Sequence, residues 1–452
     1  MAHKIMAWLF VRKMFYFLNK KKSLKLALLA SSNLVISFIV QLATINILGP
    51  GQETDALLLG ISIPIFILSI TMGPLSNVLV PMFAQDKEDS ELLGSLLLMA
   101  LCIGILIFTI LYISIDLWLP LLVSEFDTYK YDLVKSFCLL QIFSIPLALL
   151  NSVLWSYLNG KKHHFESEIA PAITGIFCLP FLLVSISCWG AWVLAIWYPT
   201  RFAMNALLLY RSIYKLNFNV RFKVADYKEI MSIWKKVSYL LLGSAYYKTE
   251  PIVDRTLLFK SDSGQLSLFS LSQQIYNSAS QIIIKSLVTP QMTLMSVAYN
   301  NTDYHRQRKL FFSCLRKLLV IIFVGFFILL LVNDFVSNLL LGFSLTSRDL
   351  SKSSEWLSSY FILLYGFFCG GTVGALTSGA MYSSGETKQV SILAMVMYTI
   401  SLPIKIYAFK IYGPEGLASV ISISSITSTS VIGYFFLRNN KANFKRALNK
   451  NG

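Results

Sequence analysis

Residues 246–255 read YYKTEPIVDR, with the run VSYLLLGSA (237–245) before them and TLLF (256–259) after. Four charges, Lys248, Glu250, Asp254 and Arg255, and one proline, Pro251, thus lie in a stretch otherwise composed like a buried helix. A charge at the centre of a bilayer costs about 3 kcal/mol on insertion scales, so such residues face a water-filled cavity or a partner. On a helix, Lys248 and Arg255 are seven apart and share one face. Glu250 and Asp254 are four apart and share another. Pro251 has no N–H for the carbonyl of Tyr247, which predicts a kink between the two stripes. A kinked helix with a basic and an acidic stripe cannot face lipid; it lines a cavity or packs against charged neighbours.

The rest of the chain places this helix in a membrane. Of 452 residues, 55% are hydrophobic and 14% charged, against about 25% charged in a soluble domain. The apolar residues fall in runs of about 20 or more, enough to cross a bilayer of roughly 30 Å. Twelve spans are predicted, near 24–47, 55–84, 92–115, 133–157, 168–187, 190–211, 237–259, 265–296, 316–340, 356–383, 388–410 and 414–437. The fold class is therefore all-α and polytopic. The second, eighth and tenth spans contain Gly73-Pro74, Pro290 and Gly370-Gly371, where kinks or breaks are expected. The spans leave no room for a soluble catalytic domain.

The net charge of +16 is a topology signal rather than a nucleic-acid footprint. With twelve spans and both termini cytoplasmic, 28 of the 39 Lys and Arg residues fall on the inner side, as the positive-inside rule requires. Six lie near the outer side: Lys130, Lys135, Lys260, Arg348, Lys352 and Lys410. Anionic lipid headgroups are the partners such a distribution implies. The N-terminal segment, 1–23, lacks the uninterrupted apolar core and cleavage site of a signal peptide. It reads either as an amphipathic helix on the inner leaflet or as a cytoplasmic tail.

Two lobes are expected, at 24–211 and 237–438, joined by a basic cytoplasmic linker at 212–236 and followed by a basic tail at 439–452. A weak internal repeat supports this. ILGPGQETDALLLG with SNVLVPMF, and LLFKSDSGQLSLFS with SLVTPQM, each give a short polar turn, a long helix and a late proline. Parallel repeats of this kind occur in transporters. The six cysteines lack CxxC spacing, and the four histidines fall in predicted cytoplasmic segments. No metal site and no cofactor is indicated. No nucleotide-binding or nucleophile motif occurs in a suitable context. The largest predicted outer loop, LPLLVSEFDTYKYD, has Glu125 and Asp127, which read as ordinary solvated charges, and this weakens a membrane glycosyltransferase or ligase reading.

The interior charges are Arg201, Lys248, Glu250, Asp254, Arg255, Lys285 and Lys405, with Asp55 at the outer start of the second span. One reading makes Arg201, Lys248, Arg255 and Lys285 a site for a diphosphate, since guanidinium matches phosphate oxygens. The acids would then serve a coupling cation, Na+ or H+, with Pro251 as the hinge. The other reading has the charges neutralise one another, Glu250 or Asp254 pairing with Arg201 or Lys405. A drug/cation antiporter would carry more acids than bases in its cavity; here bases outnumber acids.

Several motifs, in order, carry a family resemblance: LGPGQETDALLLGISIP, GPLSNVLVPMFAQ, YLNGKKHHFESEIAPAI, VDRTLL, MYSSGETKQVSI and GPEGLASVISISS. Together they resemble the MurJ (MviN) lipid II flippases of the wider MOP exporter superfamily, over most of the chain. The resemblance implies two six-helix lobes around a central cavity, alternating access, and export of an undecaprenyl-diphosphate-linked saccharide from the bacterial inner membrane. It implies a transporter rather than an enzyme, taken here as a monomer. The MATE drug/cation antiporters share this fold and form the alternative. Asp55 matches a family acid, Asp254 falls near an acid that some relatives use for sodium, and Lys405 falls near a polar position of that site. Departures are also evident. No Lys or Arg occurs between Lys25 and Lys87, and Gln274 stands where an arginine is expected. A flippase for another polyprenyl-linked saccharide (O-antigen, capsule or exopolysaccharide) fits at least as well as one for lipid II.

Overall fold

The computed structural model describes residues 29, 32–84, 90–123, 128–218, 220, 231, 245–342 and 350–451. The expected interfacial segment at 1–23, nearly all of the linker, the start of the seventh span, and Glu125 and Asp127 lie outside these residues. Every described element is helical. In chain order they are α1 (Ser32–Leu48), α2 (Gln52–Phe83), α3 (Ser90–Ile113, continued by Ile115–Val123), α4 (Thr128–Gly160), α5 (His164–Trp189) and α6 (Ala191–Lys215). Then follow α7 (Glu250–Phe259), α8 (Gln265–Asn300), α9 (Tyr304–Leu341), α10 (Leu350–Leu363 and Tyr365–Ser383), α11 (387–412) and α12 (414–451). The last two are separated at Gly413, whose φ of +60° suits glycine.

The hydrophobic core has three parts, and their arrangement gives the shape. One cluster gathers the ends of helices from both halves, including Ile45, Leu59, Phe137 and Leu194 with Leu258, Phe269, Tyr360 and Leu417. A second holds only residues of the first half, such as Leu79, Phe83, Leu93, Leu158 and Leu209. A third holds only residues of the second half, such as Val288, Met295, Leu376 and Phe436. The two six-helix lobes are thus fused at one end and separately packed at the other.

The three long helices expected to kink do break, but not at the glycines. In α2 the break falls at Ile61, three residues before Pro64, whose missing N–H leaves the Gly60 carbonyl without its helical donor. The helix runs on through Gly73-Pro74. In α8 a π-turn at Ile284–Val288 precedes Pro290, as expected for that proline. In α10 the break is at Leu364, while Gly370-Gly371 stay helical. Its cause is a side chain from α12. The Ser422 hydroxyl donates to the Leu363 carbonyl at 2.5 Å and accepts from the Phe367 N–H at 3.1 Å. It has inserted itself into the rung that these two groups would share.

The glycines of α10 let α12 approach instead. A Cβ on Gly370 would lie 2.2 Å from the Ser425 hydroxyl and 2.6 Å from its carbonyl carbon, whereas one on Gly371 meets nothing closer than 3.9 Å. Small residues at such crossings are how membrane helices pack closely. Gly370→Ala is therefore expected to destabilise the protein by about 1–3 kcal/mol, and Gly371→Ala to be near neutral. Thermal-shift midpoints of the two purified variants check this, and equal midpoints would refute it.

Candidate functional site at the junction of the lobes

The charged stretch sits where the lobes meet. Pro251 falls in the first turn of α7, after a 3-10 turn at Tyr247–Thr249. The carbonyl of Tyr247, which the proline cannot serve, accepts instead from the Glu250 N–H. The expected mid-helix kink is thus a 3-10-to-α junction, with the proline at a helical position that tolerates it.

The two stripes fasten α7 in opposite directions. The acidic stripe faces α11 of its own lobe. Lys405, fully buried, donates to Glu250 Oε1 at 2.5 Å and to both Asp254 oxygens at 2.9 and 3.0 Å. The basic stripe faces α2 of the other lobe. Arg255 donates to the Leu58 carbonyl at 3.0 Å and the Ser62 hydroxyl at 3.3 Å, beside the break at Ile61. The Lys248 ammonium donates to the Ser69 carbonyl. Acids and bases of one helix thus do not pair with each other; each set bonds to a different lobe.

Asp55 makes a second seam between the lobes. Its buried carboxylate accepts from the N–H groups of Gly264 at 2.6 Å and Ser267 at 2.8 Å. Gly264 is the N-cap of α8 and has no side chain to satisfy the helix's first donors. A carboxylate from the opposite lobe does so, with the helix dipole in its favour. Gly264 itself has φ +93°, and a Cβ there would lie 2.9 Å from the Pro50 carbonyl.

The remaining predicted residues lie apart. Arg201, on α6, borders a cavity of about 660 Å³ among the first-lobe helices, together with Tyr198, Trp155, Asn151 and Asn205. Its Nη2 donates to Asn33 Oδ1 at 3.2 Å. Tyr198 lines the same cavity as Arg201, whereas Arg255 borders a second one. Lys285 is exposed on the π-turn of α8 and joins neither. That second cavity, of about 500 Å³, adjoins Glu250 and Asp254 and is bordered by Gln273, Asn277 and Ser401. Among the described residues no group of His, Cys, Asp or Glu side chains gathers as a metal site. Sequence reasoning missed Ser62, Tyr198, Gly264 and Ser267. Only Gly264, in the polar turn SDSGQ, carried a visible signal.

Two six-helix lobes, joined at one end by polar groups inside the membrane and separate at the other, define a transporter of the MOP class. The sequence matches the family described as lipid II flippase MurJ over residues 44–451, and the chain belongs to that family. It is a membrane transporter of lipid-linked precursors and not an enzyme. Solved structures agree on the fold. A lipid II flippase MurJ in an inward closed conformation superposes with a TM-score of 0.78 at 17% identity, covering 94% of this chain and 90% of that one. An inward-facing multidrug resistance MATE transporter gives 0.77 at 16% identity, over 91% and 96%. A MOP superfamily transporter from Pyrococcus furiosus Vc1 (DSM3638), described by the reverse polarity of its binding pocket, gives 0.67 at 16% identity, over 94% and 96%. No curated protein matches the chain by sequence.

Proposed function

We propose that this chain flips a polyprenyl-diphosphate-linked saccharide, lipid II or a surface-polysaccharide repeat unit, outward across the bacterial inner membrane by alternating access. The observation that carries this reading is the division of the core, joined across the lobes at one end and split at the other. With the polarity that the Lys and Arg distribution predicts, the joined end is outside and the cleft faces the cytoplasm. The diphosphate is then received by Arg201 in the first-lobe cavity. Lys248 and Arg255 exchange their α2 carbonyls for other partners as the lobes rock, with bending at the Pro251 junction. Lys285 serves lipid headgroups.

Lys405 acts as a tethered counter-cation for Glu250 and Asp254, in the place where a coupling ion would otherwise be needed. The same pairing speaks against a drug/cation antiporter, since both acids beside the second cavity already hold the Lys405 ammonium.

Reconstituted liposomes test the reading. A short-chain polyprenyl-diphosphate saccharide is loaded in one leaflet and its appearance in the other is read with a lectin. Arg201→Ala is expected to lower the rate at least ~10-fold, the worth of one charge-assisted contact, with Lys248→Ala also inactive and both inserting normally. Wild-type rates in both variants would refute the assignment of the diphosphate. Lipid II and single-sugar substrates compared side by side decide between the two saccharide classes.

A further inference from the structure

The lipid-facing surface of the second lobe carries a groove with a charged mouth. Among the described spans α9 is the least buried, and almost none of its apolar stretch is covered by protein. Where it meets α10, a groove of about 840 Å³ runs along it, bordered by Phe312, Arg316, Leu319, Phe323, Phe326 and Tyr365. At the deep end the Tyr365 hydroxyl donates to the Ile322 carbonyl at 2.5 Å. Gly325 makes room for this pin, since a Cβ there would lie 2.9 Å from the hydroxyl. The Phe326 ring packs beside Tyr365, with centroids 5.2 Å apart. From Phe312 to Phe326 the groove follows α9 for about 21 Å. The hydrocarbon of one leaflet is about 15 Å deep, half of a core of roughly 30 Å. The groove therefore spans that depth and reaches into the interface. With the polarity that the Lys and Arg distribution predicts, the leaflet is the inner one.

Shape and charge together select the occupant. An empty groove forgoes dispersion contacts along its walls. A second helix fits poorly, because close helix packing in membranes uses small residues, and these walls are aromatic and long aliphatic side chains. A flexible acyl chain fits. At the interfacial end the charge is of one sign. Arg306, Arg308, Lys309, Arg316 and Lys317 lie on the first turns of α9, and no Asp or Glu occurs between Asp303 and Asp334. Among the described residues no carboxylate pairs with Arg316. The Arg308 guanidinium lies over the Phe312 ring at the mouth of the groove, 5.6 Å from its centroid. Such a field favours an anionic headgroup over a zwitterionic one, which brings its own cation. We propose that the groove between α9 and α10 is a site for one anionic phospholipid of the inner leaflet. An acyl chain lies along Leu319, Phe323 and Phe326, and Arg316 holds the phosphate. The site does not depend on what the protein transports.

The test reads lipid proximity on the full chain in nanodiscs, with the exposed Cys102 and Cys188 replaced by serine. A fluorophore is attached to Val320→Cys, exposed at the rim of the groove, or to Leu207→Cys, an exposed control on α6. Phosphatidylglycerol or phosphatidylcholine with brominated acyl chains then titrates the quenching. At Val320 the half-quenching mole fraction should be about 5-fold lower for phosphatidylglycerol, the weight of one basic side chain against anionic lipid. At Leu207 the two lipids should quench alike. Arg316→Gln should abolish the preference, and Arg316→Lys should keep most of it. Leu319→Trp fills the groove but leaves the arginine, and should abolish the preference as well. Arg316 and Leu319 are both exposed, so these variants should keep the parent's thermal midpoint. Equal quenching by the two lipids at Val320 overturns the site. So does the same preference at Leu207, or an unchanged preference in Arg316→Gln or Leu319→Trp. Displacement of the brominated phosphatidylglycerol by an equal mole fraction of farnesol also overturns it, and makes the groove a seat for isoprenoid chains instead.

Discussion

Asp55→Ala is expected to open the joined end of the molecule and stop transport while leaving the protein folded. In the observed state the Asp55 carboxylate answers the Gly264 and Ser267 N–H groups at the head of α8. Such charge-assisted bonds are the stronger class, worth roughly 1.5–3 kcal/mol each against an unpaired donor. Once the lobes part at this end, water can serve both the carboxylate and the N–H groups, so the loss falls almost wholly on the closed state. A shift of about 2–3 kcal/mol changes the closed-to-open ratio on the order of 30- to 150-fold. Gly264→Ala should act in the same direction for another reason: its φ of +93° disfavours any side chain, and the new Cβ would press on the Pro50 carbonyl. Spin labels at the exposed positions Glu53 and Asp262, one per lobe, report the opening, with the exposed Cys102 and Cys188 replaced by serine. Longer distances in both variants, with normal thermal midpoints, are the expected result. A distance distribution identical to the parent's in Asp55→Ala would show that this seam does not hold the closed state.

The parts of this seam differ in how far they could be read beforehand. The spans were legible because runs of apolar residues long enough for a bilayer have few other uses. The separation of α7 into a basic and an acidic face followed from helical spacing alone. The sequence supports Lys405 as a partner of Glu250 or Asp254 as one of two readings, since a buried ammonium needs a carboxylate and few are available. The partners of the basic face were not legible, because Arg255 and Lys248 bond chiefly to backbone carbonyls of α2, and a carbonyl leaves no mark on residue identity. The breaks illustrate the same limit. Pro64 stands in the sequence as plainly as Gly73-Pro74, yet the break lies just before the former and the helix runs through the latter. At Leu364 the break is set by Ser422, 58 residues away, whose hydroxyl is one of many in SISSITSTS. Arg201 was identified as an interior cation, but its separation from Lys285 and its surroundings of amide oxygens depend on how five helices meet.

Lys405→Ala is expected to produce the largest loss of stability of any single substitution in the second lobe, and to make the protein respond to sodium. The ammonium is fully buried and shared by Glu250 and Asp254. Deleting it leaves two carboxylates four residues apart on one helix, with their attraction turned into repulsion. Breaking a buried ion pair from one side typically costs about 3–5 kcal/mol. The cavity of about 500 Å³ beside the acids gives a small cation a place to enter where the ammonium was. A bare monovalent cation there answers the same electrostatic need as the lysine. The variant's thermal midpoint should therefore fall sharply in choline chloride and recover in part in sodium chloride, and its flipping should follow the same pattern. Wild type should show neither response, because its counter-cation is covalently attached. Sodium-stimulated flipping by the wild type would sink the idea of a tethered cation. A Lys405→Ala protein that is destabilised equally in both salts would instead make the lysine an anchor between α7 and α11, with no part in coupling.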